Sequence, residues 1–118
     1  MISKTAQESA NKNEPAKGSK KKVEPPRSFE RTKQFKSDWT DAQRSGKQDM
    51  NRVKEAMLLL IENSGPLPAE WLDHELTGNK WKGCRELHVK GDLLLVYMAD
   101  SEMVTFVRLG THNQLFGR

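Results

Sequence analysis

The sequence predicts an α+β fold in which two helices, joined as a hairpin, pack on a mainly antiparallel sheet of about four strands. Three observations carry this expectation. Residues 32 to 61 hold two amphipathic segments interrupted at Ser45 and Gly46, and residues 84 to 109 hold three strand-like runs with short turns between them. The middle run is apolar on both alternating sets (Leu93, Leu95 and Tyr97; Leu94, Val96 and Met98), as a central strand covered on both faces requires.

Taken in order, residues 1–26 come first, without an aromatic residue and rich in Lys, Glu, Ser, Asn and Pro. Such a segment buries too little apolar area to offset its ordering entropy, so a disordered basic extension is expected there. Its Lys20, Lys21 and Lys22 offer only non-specific attraction to nucleic acid. An ordered domain is expected over residues 27–118, opening with a short strand near Ser28 to Arg31. A helix then runs from about Thr32 to Arg44, where Phe35, Trp39 and Ala42 recur at spacings of four and three. Asp49 suits the N-cap of a second helix, whose Val53, Ala56, Met57, Leu60 and Ile61 trace one apolar stripe before Asn63 to Pro66 stop it.

The stretch PLPAEWLDHELTGNKWKG, residues 66–83, shows no sustained periodicity and reads as a long ordered loop. Strand-like runs follow at Cys84 to His88, Asp92 to Met98 and Met103 to Leu109, forming an antiparallel meander. The last strand gives way to a tail containing His112 and Phe116.

Length and charge narrow the function. A chain of 118 residues has room for one modest core and none for a large multi-substrate enzyme. The net charge of +4 sits entirely in residues 1–27, which hold seven Lys and Arg against three Glu, while the other 91 residues hold 13 of each sign. Cys84 is the only cysteine, which rules out an internal disulfide and suits a cytoplasmic location. Apolar runs such as LLLVYMA are far shorter than a membrane span, so no membrane partner is expected.

Chemistry-bearing residues gather at one end of this layout. His74 lies in the long loop, Glu86 and His88 alternate onto one face of the first meander strand, Asp92 opens the next, and Arg108 and His112 flank the end of the last. A three-residue turn at Val89 to Gly91 makes His88 and Asp92 cross-strand neighbours; a two-residue Lys90–Gly91 turn pairs Val89 with Asp92 instead. Separations of 14 and 24 residues between the histidines match no compact metal-ligand motif, so neither a metal nor another cofactor is expected.

Read together, WLDHELTGNKWKGCRELHV, GDLLLVY and VRLGTHNQLFG resemble the YafQ branch of the RelE/ParE superfamily of toxins from type II toxin-antitoxin pairs. The similarity spans about residues 27 to 117. Its most specific marks are Asp73–His74, Trp81 to Arg85, His88, Asp92 and the closing Gly110 to Gly117. The resemblance implies a RelE-like fold and a ribosome-dependent endoribonuclease that cuts messenger RNA in the ribosomal A site. The implied partners are the ribosome with its rRNA, mRNA and a cognate antitoxin, through which the complex can bind operator DNA. By the same resemblance the functional histidines fall on His74, His88 and His112, an acidic residue on Asp92 and an aromatic on Phe116. Glu86 stands where the family commonly has Asp, one extra residue separates Gly78 from Trp81, and the basic extension has no counterpart.

That chemistry agrees with the residue types. RNA can be cut by its own 2′-OH when one group removes that proton, cations stabilise the charged phosphorane-like transition state, and another group protonates the departing 5′-oxygen. His112 is expected to be the general acid and His88, oriented by Asp92 or Glu86, the general base. His74 and Arg85 are expected to hold the phosphate, with Lys80, Lys82, Lys90 and Arg108 along the RNA and Phe116 stacking on a splayed base. The alternatives are a ParE-like toxin and an inactive binding protein, both acting through protein contacts; neither accounts for the three histidines.

Overall fold

Arg27 ties the start of the domain to its far side. Its backbone N–H donates to the Ile61 carbonyl at 2.7 Å, and its guanidinium donates to the carbonyls of Leu60 and Asp100 at 2.8 and 2.7 Å. The computed structural model describes residues 24–117, so the expected disorder of the basic extension falls, up to residue 23, outside the described residues. No described helix is long and apolar enough to cross a membrane.

Strand β1 (Ser28–Arg31) leads into α1 (Lys33–Ser45), where the Thr32 hydroxyl accepts from the Phe35 N–H at 2.9 Å. Gly46, at φ 69°, closes α1 in the left-handed conformation that glycine adopts without a side-chain clash. Helix α2 (Met50–Glu62) starts with the Asp49 carboxylate accepting from the Arg52 N–H at 3.1 Å. Both helices turn their apolar stripes, Phe35 on one and Val53, Ala56 and Leu60 on the other, onto the same face of the sheet.

The sheet has five strands in the order β1-β5-β4-β3-β2, one more than expected. β3 (Arg85–Lys90), β4 (Leu93–Ala99) and β5 (Met103–Thr111) form the antiparallel meander, and β1 lies parallel to β5. The added strand, β2 (His74–Glu75), comes from the stretch read as loop. Two residues are too few to show a periodicity. The β3–β4 turn follows neither expected form: Lys90 pairs with Leu93 and His88 with Leu94, leaving Gly91 and Asp92 at the tip and a bulge at Val89.

Leu93 to Tyr97 are all buried, so both faces of β4 need a cover. Leu87, Leu95 and Phe106 meet the two long helices on one face; Cys84, Leu94, Val96 and Leu115 form a smaller cluster on the other. At about 2 kcal/mol per fully buried large aliphatic, each face contributes several kcal/mol. The second cover is supplied partly by a third helix where an open tail was expected, α3 (His112–Phe116). Thr111 caps it, accepting from the Gln114 N–H at 3.2 Å while the Gln114 side chain accepts from the Thr111 N–H at 2.8 Å. Gly110 permits the tight exit from β5, since a Cβ there would lie 3.0 to 3.1 Å from Gln114 and Leu115.

One buried charge fastens α1 to β5. Asp38, 7% exposed, accepts from Arg108 Nε at 2.8 Å, Arg108 Nη2 at 3.2 Å and the Leu109 N–H at 3.0 Å. Removing one partner of such a pair leaves the other charge poorly solvated. Asp38→Ala is therefore expected to lower stability by about 3 kcal/mol in urea unfolding. A loss below about 1 kcal/mol would show that this pair does not hold α1 to the sheet.

Candidate functional site

Because successive strand residues face opposite ways, burying Leu87 and Val89 under the long helices sends Glu86 and His88 to the other face. β2 places His74 opposite Glu86 in the register. The Glu86 side chain is only 7% exposed, with Oε2 3.2 Å from His74 Nε2 and 3.7 Å from His88 Nε2. Its Oε1 has no hydrogen-bond partner among the described residues. One carboxylate thus sits beneath two imidazoles whose ring centres are 6.1 Å apart.

The tautomer of His74 follows from its other nitrogen. Nδ1 lies 2.8 Å from the Leu72 carbonyl, which can only accept, so the hydrogen is on Nδ1. Nε2 then faces a carboxylate oxygen, an arrangement that attracts only when a proton or another cation lies on the contact.

A cleft of about 740 Å³ opens beside this cluster, lined by His74, Thr77, Lys80, Trp81, Glu86, His112 and Phe116 among others. His112, the first residue of α3, is exposed. It meets Phe116 one turn later edge to face at 5.1 Å, and Phe116 meets Trp81 likewise at 5.2 Å. The aromatic row fixes one wall of the cleft, and Lys80 adds a cation 5.3 Å from the Trp81 ring.

Behind His74 the chain is anchored through the sheet. Leu72 takes a left-handed conformation at φ 51°, and Asp73 turns its carboxylate to the hairpin side. There it accepts from the Tyr97 hydroxyl at 2.5 Å, from Arg85 Nε at 3.3 Å and from Arg85 Nη2 at 3.2 Å. Burial and the neighbouring Asp73 carboxylate push the Tyr97 phenol well above its ordinary value. This anchor is not visible in the sequence, where Asp73 and Tyr97 are 24 residues apart and only Asp73–His74 stands out.

The cleft therefore unites His74, Glu86, His112, Lys80 and Phe116, with His88 held at its flank by Glu86. The other expected residues lie elsewhere. Asp92 occupies the exposed turn tip, so Glu86 rather than Asp92 stands beside His88. Arg85 is tied to Asp73 and Arg108 to Asp38, because Arg85 alternates away from Glu86 on β3 and Arg108, next to the irregularity in the β4–β5 register, lies within reach of Asp38 on α1. Lys90 reaches Asp49 at 3.3 Å, and Lys82 is exposed outside the cleft lining. Trp81, which opens the Trp81 to Arg85 motif but has no site role in the sequence reading, also lines the cleft; its position five residues before Glu86 carries no periodic signal.

A five-stranded mixed sheet with a helical hairpin on one face and a histidine-lined cleft on the other is the architecture of a RelE-like toxin. Within that class, residues 27–117 match the sequence profile of YafQ, a bacterial toxin of type II toxin-antitoxin systems, and the chain belongs to that family. It is 45% identical over 91 residues to the mRNA interferase toxin YafQ of Escherichia coli, covering 77% of this chain and 97% of that one. The crystal structure of the E. coli DinJ-YafQ toxin-antitoxin complex superposes with a TM-score of 0.72 at 43% identity, over 78% of this chain and 99% of that one. A metal-bound toxin from Helicobacter pylori superposes at 0.63 with 32% identity, over 75% and 98%.

The Tyr97 anchor makes a pH prediction. A folded-state pKa above the unfolded value near 10 means that only the unfolded chain ionises as pH rises past about 10, so this contribution to stability is present below that pH and lost above it. Tyr97 is the only tyrosine, so tyrosinate absorbance reports this group alone. It should stay low above pH 10 until the chain unfolds; a midpoint near 10 in folded protein would show that the anchor is absent in solution.

Proposed function

We propose that this chain is a ribosome-dependent endoribonuclease that cleaves mRNA in the A site by attack of the 2′-OH on the adjacent phosphate, and that a cognate antitoxin neutralises it. The carrying observation is the single cleft in which His74, Glu86, Lys80, His112 and Phe116 converge. Family membership and the mRNA interferase activity in the E. coli relative's name support the same reading, as does that relative's complex with an antitoxin.

The geometry divides the labour. His112 is exposed at the cleft mouth with its ring against Phe116, a position from which it can deliver a proton to the departing 5′-oxygen. Both ring nitrogens of His74 are engaged, by the Leu72 carbonyl and by Glu86, so His74 suits binding the phosphate as a cation better than accepting a proton. His88 touches Glu86 more loosely, and the buried carboxylate orients it to accept the 2′-OH proton. Lys80 adds positive charge where the phosphate becomes more negative, and the Trp81–Phe116 wall offers stacking surface to an unstacked base.

His112→Ala should slow single-turnover cleavage on programmed ribosomes by roughly 10²-fold or more, the usual contribution of a general acid, with ribosome binding retained. The substitution removes one edge contact from an exposed side chain, so stability should change by no more than about 0.5 kcal/mol. His112→Gln, which hydrogen-bonds but delivers no proton, should be nearly as slow. Cleavage by His112→Gln at close to the unsubstituted rate would move the general acid to another group.

A further inference from the structure

We infer that the outward face of α1 binds the phosphate backbone of double-helical RNA, and that this second contact, separate from the cleft, makes cleavage depend on the ribosome. The surface itself needs no ribosome; its part in cleavage rests on the function proposed above.

Phe35, Trp39 and Ala42 turn one side of α1 into the core, which leaves the opposite side to solvent. Lys33, Lys36, Thr40 and Arg44 follow along that side at spacings of three, four and four, and all are exposed. The three cations form one row, about 17 Å long at the rise of an α-helix. Of the two acids in α1, Asp38 is buried against Arg108, and Asp41 lines a cavity shared with Gly110 and Thr111. Residues 28–118 carry equal numbers of both signs, so the row is a local concentration of charge in a neutral domain.

Helix stability does not account for this row. α1 has no acidic residue in its first turn, and Lys33 is its first residue, where the positive end of the helix dipole disfavours a cation. Lys36, one turn on, repels Lys33. An ordinary solvated face mixes both signs, as α2 does where Arg52 pairs with Glu55 and Glu70. Among the described residues, none of Lys33, Lys36 and Arg44 forms an ion pair.

The composition of the row selects its partner. A protein interface needs apolar or aromatic anchors at its centre, and single-stranded RNA is held largely by stacking on aromatic rings. The row has neither, since the rings of α1, Phe35 and Trp39, pack into the core. Duplex RNA needs only charge and shape, because its phosphates stand in a rigid line and its bases go unread. The cleft opens on the other face of the sheet and carries rings, so the strand to be cut and the duplex lie on opposite sides of the chain. A free message offers only the first contact. A ribosome surrounds its message with folded RNA and offers both.

The full chain carrying His112→Ala should bind an RNA duplex of about 16 base pairs whatever its sequence. Adding Lys33→Gln, Lys36→Gln and Arg44→Gln should weaken that binding tenfold or more and lower the slope of log affinity against log salt by about three. Lys54→Gln, on α2 beside Glu55 and Glu62, should leave the slope nearly unchanged. The Lys33→Gln/Lys36→Gln pair should melt no lower than the unsubstituted chain, which separates a lost contact from lost folding. On programmed ribosomes, with His112 intact, the triple variant should show a KM raised at least tenfold and an unchanged kcat. Duplex affinity and salt slope unaltered by the triple change overturn the proposal. So does a triple variant that loses affinity for poly-glutamate but keeps it for the duplex, which would give the face to an acidic protein. A KM unchanged in the triple variant overturns the link to the ribosome. A chain that grips the duplex through α1 yet cleaves nothing on ribosomes upholds the surface and overturns the nuclease reading instead.

Discussion

A strand that is apolar on both sides must be covered on both sides, and β4, with Leu93 to Tyr97 all buried, imposes that demand on the whole chain. The long helices satisfy it on one face with a continuous core running from Phe35 through Val53 and Leu60 to Phe106. On the other face, among the described residues, lie only a ten-residue connection with a short 3-10 turn, from Leu72 to Trp81, and the five-residue helix α3. That cover is too small to close over the sheet. The gap between its two pieces is the cleft, and the strand residues that alternate toward it are polar ones.

Glu86 shows the consequence. A strand interior next to buried Leu87 is a poor place for an ionised carboxylate, which forfeits hydration and recovers it here only through two histidines. The exchange is not complete, since Oε1 has no hydrogen-bond partner among the described residues. A buried carboxylate with an unpaired oxygen, set beneath two imidazoles, is what the β2–β3 pairing places at the floor of the cleft. The Asp73–Tyr97–Arg85 anchor works from the opposite side of the sheet, holding the strained turn at Leu72 so that His74 is presented to Glu86.

Much of this was legible in the sequence, for reasons tied to particular residues. Phe35, Val53, Ala56 and Leu60 recur at helical spacing, and Thr32, Gly46 and Asp49 act locally as caps, so both long helices can be read from neighbours alone. The double apolar pattern of Leu93 to Met98 likewise identifies the central strand. What escaped depends on distant partners. β2 is a strand only because Glu86 and Arg85 offer it an edge, and Arg85 and Arg108 read as RNA ligands until Asp73 and Asp38 claim them. α3 is too short for periodicity, although its Thr111–Gln114 capping pair was a local signal present in the sequence. The bulge at Val89 moved Asp92 to the turn tip and left the role of neighbouring carboxylate to Glu86.

The central claim is that the histidine cleft uses the RNA's own 2′-OH as nucleophile, and the chemistry of the cut ends tests it most directly. Message cleaved on ribosomes by the purified chain should yield upstream fragments ending in a 2′,3′-cyclic phosphate or a 3′-phosphate and downstream fragments beginning with a 5′-hydroxyl. Upstream fragments ending in a 3′-hydroxyl, with the phosphate retained on the 5′ side, would mean that an activated water attacks the phosphorus and would contradict the account.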